Sequence, residues 1–128
     1  MKRLLLVSLA ILFLFAVMVN AAEMRFAVAS SDKTAEASVS NEAAKCPYYL
    51  LFDSKGELTE VIDNPYKNAS GGAGPSAADF LAQRGVTIVI AGSFGSKMIN
   101  ALESKGVVHF ESKGSVGDAV KKALEGGQ

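Results

Sequence analysis

Two short glycine-rich segments contain the residues whose types and spacing best suit chemistry. The first covers residues 70–75, Ser-Gly-Gly-Ala-Gly-Pro, and the second covers residues 92–96, Gly-Ser-Phe-Gly-Ser. Each lies directly before residues with helical spacing, so its backbone N–H groups would stand at a helix N-terminus. That end of a helix has free N–H donors and the positive end of the helix dipole, and both favour an anion. Both segments are therefore candidate anion-binding loops.

Neither segment matches a catalytic loop of known mechanism. A phosphate-binding loop requires G-x-x-x-x-G-K-[ST], which is absent from both. The second segment also differs from the G-x-S-x-G nucleophile elbow, because Gly92 directly precedes Ser93. The single histidine, His109, lies in a strand pattern, and the acidic residues are scattered over turns and polar helix faces. Because no pair of base and nucleophile is visible, the sequence predicts a protein that is not an enzyme.

One thiol is available for metal or redox chemistry. Cys46 is the only cysteine, whereas a small exported domain stabilised by disulfides would have an even number. The thiol is interpreted as a buried small apolar group, as a partner in an intermolecular disulfide, or as a metal ligand. Met98 and His109 are the other soft or imidazole ligands. An anionic metal–sulfur cluster suits amide-rich loops better than a bare metal ion, because it needs few protein ligands.

The first 21 residues have the three-part pattern of a secretory signal peptide. A basic start at residues 1–3 precedes an apolar run over residues 4–19, and small residues then predict cleavage before Ala22. The alternative is an uncleaved membrane anchor, but the run is shorter than the roughly 20 residues that span a bilayer. We therefore expect a periplasmic or secreted protein that has no membrane attachment after cleavage, with one domain over residues 22–128.

The charge of the chain argues against a nucleic-acid partner. The sequence has 13 Lys and Arg residues and 13 Asp and Glu residues, and loss of Lys2 and Arg3 with the signal peptide leaves a slightly acidic domain. Proteins that bind nucleic acid usually present an excess of positive charge on one face. We therefore expect no nucleic acid among the partners.

Periodicity and turn residues predict eight elements in the order β-β-β-α-β-α-β-α. The predicted strands are residues 24–29, 47–52, 57–63, 86–91 and 107–110, and the predicted helices are residues 76–84, 96–104 and 116–124. Residues 32–44 have no clear period and are predicted as a loop or a weak helix. Short connections and right-handed crossovers then predict an α/β fold, in which a mixed five-stranded sheet is flanked by helices.

This arrangement predicts where a ligand would bind. In open α/β sheets, ligands collect beyond the carboxyl ends of the strands, where both glycine loops should lie together with the serines that follow the first strand. The candidate binding residues are Ser30, Ser31, Gly71, Gly72, Ala73, Gly74, Ser93, Gly95 and Ser96, and the candidate metal ligand is Cys46.

The order of several motifs resembles the dinitrogenase iron–molybdenum cofactor biosynthesis family. The motifs are residues 24–31, Lys45-Cys46-Pro47-Tyr48-Tyr49, Asp63-Asn64-Pro65, residues 70–74 and residues 86–95. The resemblance covers about residues 24–124 and implies a ribonuclease-H-like α/β fold without nuclease residues. It also implies binding or carriage of iron–molybdenum–sulfur precursors or molybdenum–copper–sulfur clusters. By similarity, residues 71–74 and the region of Cys46 would border the site.

Three features depart from the family pattern. Ala43 and Ala44 replace a Phe-Gly pair that often precedes the Cys46 motif, no histidine accompanies the first glycine loop, and a signal peptide precedes Met24. Nitrogenase assembly is cytoplasmic, so an exported protein is not expected to take part in it directly.

Two functional hypotheses follow from the residues and the resemblance. The first is a non-enzymatic, exported carrier of an anionic metal–sulfur species that contains iron, molybdenum or copper. The alternative is a metal-free interaction or sensory module, which would bind a small anionic metabolite or a partner protein at the same loops. A homodimer in which two Cys46 thiols bridge a cluster is a further alternative.

Overall fold

Aromatic and β-branched residues form the strands, and amphipathic segments form the helices. The computed structural model describes residues 23–126, so the predicted signal peptide lies outside the described residues. The strands are β1 (Phe26–Ser30), β2 (Tyr48–Phe52), β3 (Leu58–Asp63), β4 (Ile88–Ala91) and β5 (Val108–Glu111), and the helices are α1 (Ala73–Gln83), α2 (Ser96–Ser104) and α3 (Val116–Leu124). Within the described part of the chain, no helix is long and apolar enough to cross a bilayer.

The five strands form one mixed sheet in the order β3-β2-β1-β4-β5. The strands β1, β2 and β3 pair antiparallel, whereas β1 pairs parallel with β4 and β4 pairs parallel with β5. The crossovers that parallel pairs require are supplied by α1 and α2. The carboxyl ends of β1, β3, β4 and β5 therefore lie at one edge of the sheet. This confirms the predicted mixed α/β sheet, while its assignment as ribonuclease-H-like stays a prediction.

Successive side chains of β1 point to opposite faces of the sheet, so the apolar interior forms two cores, one on each face. Ala29 faces α1 and α2 and lies in a core with Leu81, whereas Val28 faces α3 and lies in a core with Val120. All five residues of β1 are buried, as expected for a central strand that is covered on both faces. The sheet edge that should hold the ligand is thus supported by two well-packed layers.

One helix begins at a different residue from the one predicted. The helix α1 begins three residues before its predicted start at Ser76, because Pro75 is tolerated in a first turn, where its missing N–H would have no intrahelical partner. Its N-cap is Gly72, which has a left-handed φ of 69°. The helix α2 begins at Ser96, as predicted, and its N-cap is Gly95. Both glycine loops therefore supply the N-cap of the helix that follows.

The segment between β1 and β2 crosses the carboxyl edge of the sheet as a loop. Isolated bridges join Ser30 to Val39, Ser38 to Ser115 and Glu42 to Ser93. The crossing passes very close to Gly92, where a Cβ atom would lie 2.9 Å from Cα of Asn41. Glycine is required at this position, since backbone atoms of the loop occupy the space. The loop prediction for residues 32–44 is confirmed and the weak-helix alternative is wrong.

Candidate functional site

The two glycine loops meet at one cleft at the carboxyl edge of the sheet. Its volume is about 430 Å³, within the roughly 300–1,000 Å³ typical of small-ligand sites. The cleft is lined by Ala44, Lys45, Ala69, Ser70, Gly71, Gly72, Ala73, Gly74, Gly95, Ser96, Lys97 and Met98. The structure thus brings together six predicted site residues from both loops, and their role in binding stays a prediction.

The starts of α1 and α2 touch through Gly74. A Cβ atom at Gly74 would lie 3.1 Å from the backbone N of Met98 and 3.1 Å from its Cβ, which is closer than ordinary side-chain contacts. Met98 lines the cleft but is only 1% exposed, so it anchors α2 in the core below. The absence of a side chain at Gly74 therefore allows two helix N-termini to face one cleft.

The first turns of α1 and α2 have N–H groups that are not capped by side chains. Gly72 and Gly95, their N-caps, make no side-chain hydrogen bond, and neither helix has an acidic residue in its first turn. By contrast, Ser115 caps α3 and accepts a hydrogen bond from the backbone N of Asp118 at 3.2 Å. The N–H groups and dipoles of the two helices at the cleft are therefore left for a ligand or solvent to satisfy.

Lys45 and Lys97 are the charged residues that line the cleft. Both are exposed, and no Asp or Glu lines the same space. This local excess of positive charge occurs in a chain whose formal net charge is zero, so it attracts anions to one place. Lys45 appeared in the sequence only as part of a motif, and Lys97 was missed, although a basic residue directly after a glycine loop was a usable signal.

Three predicted serines lie away from the cleft. Ser30 is fully buried, and its hydroxyl donates to the backbone O of Asp32 at 2.6 Å. Ser31 is bonded through its backbone N to the loop that crosses the sheet edge. The hydroxyl of Ser93 donates to the backbone O of Asn41 at 2.7 Å. These serines are at the predicted edge, but they hold the crossing loop and do not line the cleft.

Cys46 lies in the core behind the cleft wall and does not line the cleft. It is fully buried, and burial raises the pKa of its thiol to about 11, so the thiol is protonated at neutral pH. Metal ligation requires the thiolate. Within residues 23–126, no group of three or more His, Cys, Asp and Glu residues is placed to hold a metal ion. The placement favours the interpretation of Cys46 as a buried small apolar group, and its ligand role stays a prediction.

His109 also lies away from the cleft. It is half-buried on β5, and its ring meets the ring of Phe94 edge to face, with centroids 5.3 Å apart. The imidazole thus packs against Phe94 of the second glycine loop. It contributes to the position of that loop, and it does not line the space where an anion would bind.

Asn64 is a buried polar residue that the sequence indicated only as part of the Asp63-Asn64-Pro65 motif. It is 1% exposed, and its Nδ2 donates to the backbone O of Ala44 at 2.8 Å and of Cys46 at 2.9 Å. Its Oδ1 accepts a hydrogen bond from the backbone N of Tyr66 at 2.9 Å. One side chain thus connects the end of β3 to the cleft wall that carries Lys45.

Tyr49 holds the same wall from inside the core. Its hydroxyl donates to the backbone O of Ala43, and burial raises its pKa above the usual range, so it stays protonated as a donor. No residue pattern indicated this contact, because Tyr49 is part of an ordinary aromatic strand. Its hydroxyl group and the Asn64 amide are two buried donors that position the wall.

Comparison with known proteins agrees with the fold. The family model described as dinitrogenase iron-molybdenum cofactor matches residues 24–126. The apo orange protein of Desulfovibrio gigas has a TM-score of 0.76 and 27% identity, with 84% of this chain and 92% of that chain covered. A NifB-like protein of the DUF35 family from Thermotoga has a TM-score of 0.69 and 29% identity, with coverages of 81% and 90%.

An uncharacterised protein of Methanocaldococcus jannaschii is 27% identical over 86 residues, which is 64% of this chain and 73% of that protein. The family match extends from the residues before β1 to the residues after α3, so it includes both glycine loops and both cleft lysines. Its description connects members to an iron–molybdenum cofactor, and therefore to metal-cluster chemistry. The chain belongs to the dinitrogenase iron-molybdenum cofactor family.

Proposed function

We propose that the protein is a non-enzymatic carrier of an anionic metal–sulfur species, which binds in the cleft between the glycine loops. The observation that carries the proposal is the convergence of two uncapped helix N-termini with Lys45 and Lys97, in a cleft without a carboxylate lining. Such a site binds an anion through N–H donors, helix dipoles and positive charge. Among the described residues, no histidine, carboxylate or thiol lines the cleft as a general base or a nucleophile, which supports a carrier.

The donor set suits a metal–sulfur anion better than a bare cation. A thiometallate or a sulfide cluster brings its own sulfur ligands, so the protein needs to supply charge and hydrogen bonds and not thiolates. The cleft offers amide N–H groups and two ammonium groups, whereas the thiol of Cys46 is buried and protonated. Family membership supports iron and molybdenum as the metals, and copper remains an option that the resemblance implies.

We also propose that the carrier works in the periplasm or outside the cell. The signal-peptide pattern of residues 1–21 supports export, and cleavage before Ala22 would leave β1 and the rest of the domain intact. The intact mass of the protein from an exporting host is expected to match a chain that begins at Ala22. A membrane-associated chain that begins at Met1 would contradict export with cleavage.

Anaerobic reconstitution tests the binding proposal. The mature protein, residues 22–128, is mixed with tetrathiomolybdate and copper(I), or with iron and sulfide, and is then desalted. We expect sulfide-to-metal charge-transfer absorbance and metal that elutes with the protein. If the folded wild-type protein retains no metal from either mixture, the proposal is wrong.

The metal-free module is the second candidate, and the same cleft supports it. Amide N–H groups and lysines would also bind an oxyanion, a small anionic metabolite or the acidic tail of a partner. A ligand that binds only the native state raises the unfolding temperature. A larger increase with phosphate or a carboxylate than with tetrathiomolybdate would favour this candidate over the metal–sulfur carrier.

A further inference from the structure

We propose that Asn64 is a positioning residue of the cleft, and that it holds residues 43–46 so that Lys45 faces the bound anion. We call residues 43–46 the strap. The inference rests on the proposed function of the same cleft. It identifies the residue that positions the cleft wall carrying Lys45.

The strap has few backbone hydrogen bonds of its own. It lies outside the strands and helices, and its backbone bond to the rest of the fold joins the N of Ala43 to the O of Ser93 at 3.2 Å. Its carbonyl groups are instead bonded by buried side chains. Asn64 donates to the carbonyls of Ala44 and Cys46, and Tyr49 donates to the carbonyl of Ala43. The position of the strap is therefore set mainly by side-chain donors in the core.

These hydrogen bonds determine which groups of the strap face the ligand. A backbone carbonyl oxygen carries partial negative charge and would repel an anion. Asn64 and Tyr49 bond three of the four strap carbonyls, so these oxygens are held by core side chains while Ala44 and Lys45 line the cleft. The loss of Asn64 would leave two buried carbonyls without partners, which favours their movement towards solvent in the cleft.

Asn64 also connects the two walls of the cleft. Its Oδ1 accepts a hydrogen bond from the backbone N of Tyr66, and its own carbonyl accepts one from Lys67 at 3.3 Å. These bonds form the turn that leads to Ala69 and Ser70 on the opposite wall. Only a side chain that both donates and accepts can make both connections, and an ionised aspartate could not donate to the strap.

A double-mutant cycle with tetrathiomolybdate tests whether Asn64 acts through Lys45. We expect Asn64→Ser to weaken binding about tenfold in the wild-type background and to have little effect in a Lys45→Gln background, because coupled residues are not additive. The control is Ile62→Val, which loosens the core at the same strand but leaves the strap bonds intact. Equal losses in both backgrounds, or an equal loss in the control, would overturn the proposal.

A second measurement needs no ligand. Cys46 is the buried last residue of the strap, so the rate at which an aromatic disulfide reagent modifies its thiol reports how often the strap opens. We expect Asn64→Ser to raise the rate about tenfold, because two buried hydrogen bonds are lost. Ile62→Val should change it much less. Should Asn64→Ser fail to fold, Tyr49→Phe removes a single strap bond and should give a smaller increase.

The two measurements separate this inference from the proposed function. If the wild-type protein binds no tetrathiomolybdate, the proposed function fails, and the thiol rate alone decides whether Asn64 holds the strap. A thiol rate that is the same in Asn64→Ser, Tyr49→Phe and the control would overturn the positioning role, whatever the protein binds.

Discussion

Gly74 is the single residue on which the geometry of the cleft depends most directly. Its missing side chain lets the starts of α1 and α2 come into contact, and no other residue type leaves that space free. Gly71 lines the same cleft but has open space around its Cβ position and no positive φ. The fold therefore requires glycine at position 74 but not at position 71, although the two residues are only three positions apart in one loop.

We predict that Gly74→Ala destabilises the protein by about 1 kcal/mol, because the strain of overpacking against the backbone of Met98 exceeds the gain in helix propensity. Gly71→Ala is the matched control and should change stability by less than about 0.5 kcal/mol. Urea unfolding of both variants provides the measurement. Equal stabilities of the two would show that the helix starts are not in tight contact at Gly74.

The buried thiol predicts a pH dependence of stability. Burial raises the pKa of Cys46 from 9.0 to about 11, so between these values the unfolded state loses a proton that the folded state keeps. Stability from this group is therefore fully present below about pH 9 and decreases as pH rises towards 11, by about 2 kcal/mol at pH 10.5.

Cys46→Ala should remove this part of the loss of stability at alkaline pH. Tyr49, whose pKa is also raised by burial, would still contribute to the remaining loss. The check is urea unfolding of wild type and Cys46→Ala at pH 8 and pH 10.5. A difference between the two proteins that does not change with pH would mean that the thiol is not buried in the folded state.

Single residues also show where sequence-based prediction ends. The glycines of both loops were identifiable because their meaning is local, in a run that precedes a helix. The role of Asn64 was not identifiable, since its partners Ala44 and Cys46 lie 20 and 18 residues away and only the folded sheet brings them together. Cys46 had three interpretations in the sequence, and its burial in the fold favours one of them.

At the scale of elements, the way each helix begins separates the ligand site from the rest of the fold. The helix α3 has a serine cap and an acidic first turn, which satisfy its N–H groups and its dipole. The helices α1 and α2 have neither feature. All three helices of the described residues begin at the same sheet edge. The two helices whose N-terminal N–H groups have no side-chain cap, α1 and α2, therefore mark the binding site better than any single glycine does.

We predict that Gly95→Asp separates stability from binding. Gly95 has extended backbone angles that suit an N-cap, and a Cβ atom there would meet nothing within 4 Å. An aspartate cap should stabilise α2 by about 0.5 kcal/mol and should repel an anion from the same N–H groups. Gly95→Ala is the control, with no new cap and no charge, and it should keep binding.

The readouts are urea unfolding and retention of tetrathiomolybdate after desalting. Retention by Gly95→Asp equal to that of the wild-type protein would contradict a role for the start of α2 in the site.

Element order could be predicted because each strand and helix has its own periodicity, and α2 and α3 begin and end at the predicted residues. The start of α1 was misplaced because Pro75 was taken to precede the helix and not to lie in its first turn. The path of the crossing loop could not be predicted, because residues 32–44 have no hydrophobic periodicity. Its path depends on bridges to residues that follow β4 and β5, which become neighbours only in the assembled sheet.

At the scale of the whole molecule, a chain with no net formal charge places two lysines where the sheet edge is open. The crossing loop brings Lys45 to the cleft from one side, and α2 brings Lys97 from the other. The fold thus concentrates charge and N–H donors at one edge without an overall excess of basic residues. We propose that this concentration of charge and N–H donors binds an anionic metal–sulfur species.

Binding of tetrathiomolybdate to charge-matched variants tests that claim most directly. Lys45→Gln with Lys97→Gln removes both cleft lysines, and Lys55→Gln with Lys122→Gln removes two exposed lysines that do not line the cleft. We expect the first pair to weaken binding at least about tenfold and to flatten its salt dependence, whereas the second pair should bind like the wild-type protein. Equal binding by the two pairs would contradict it.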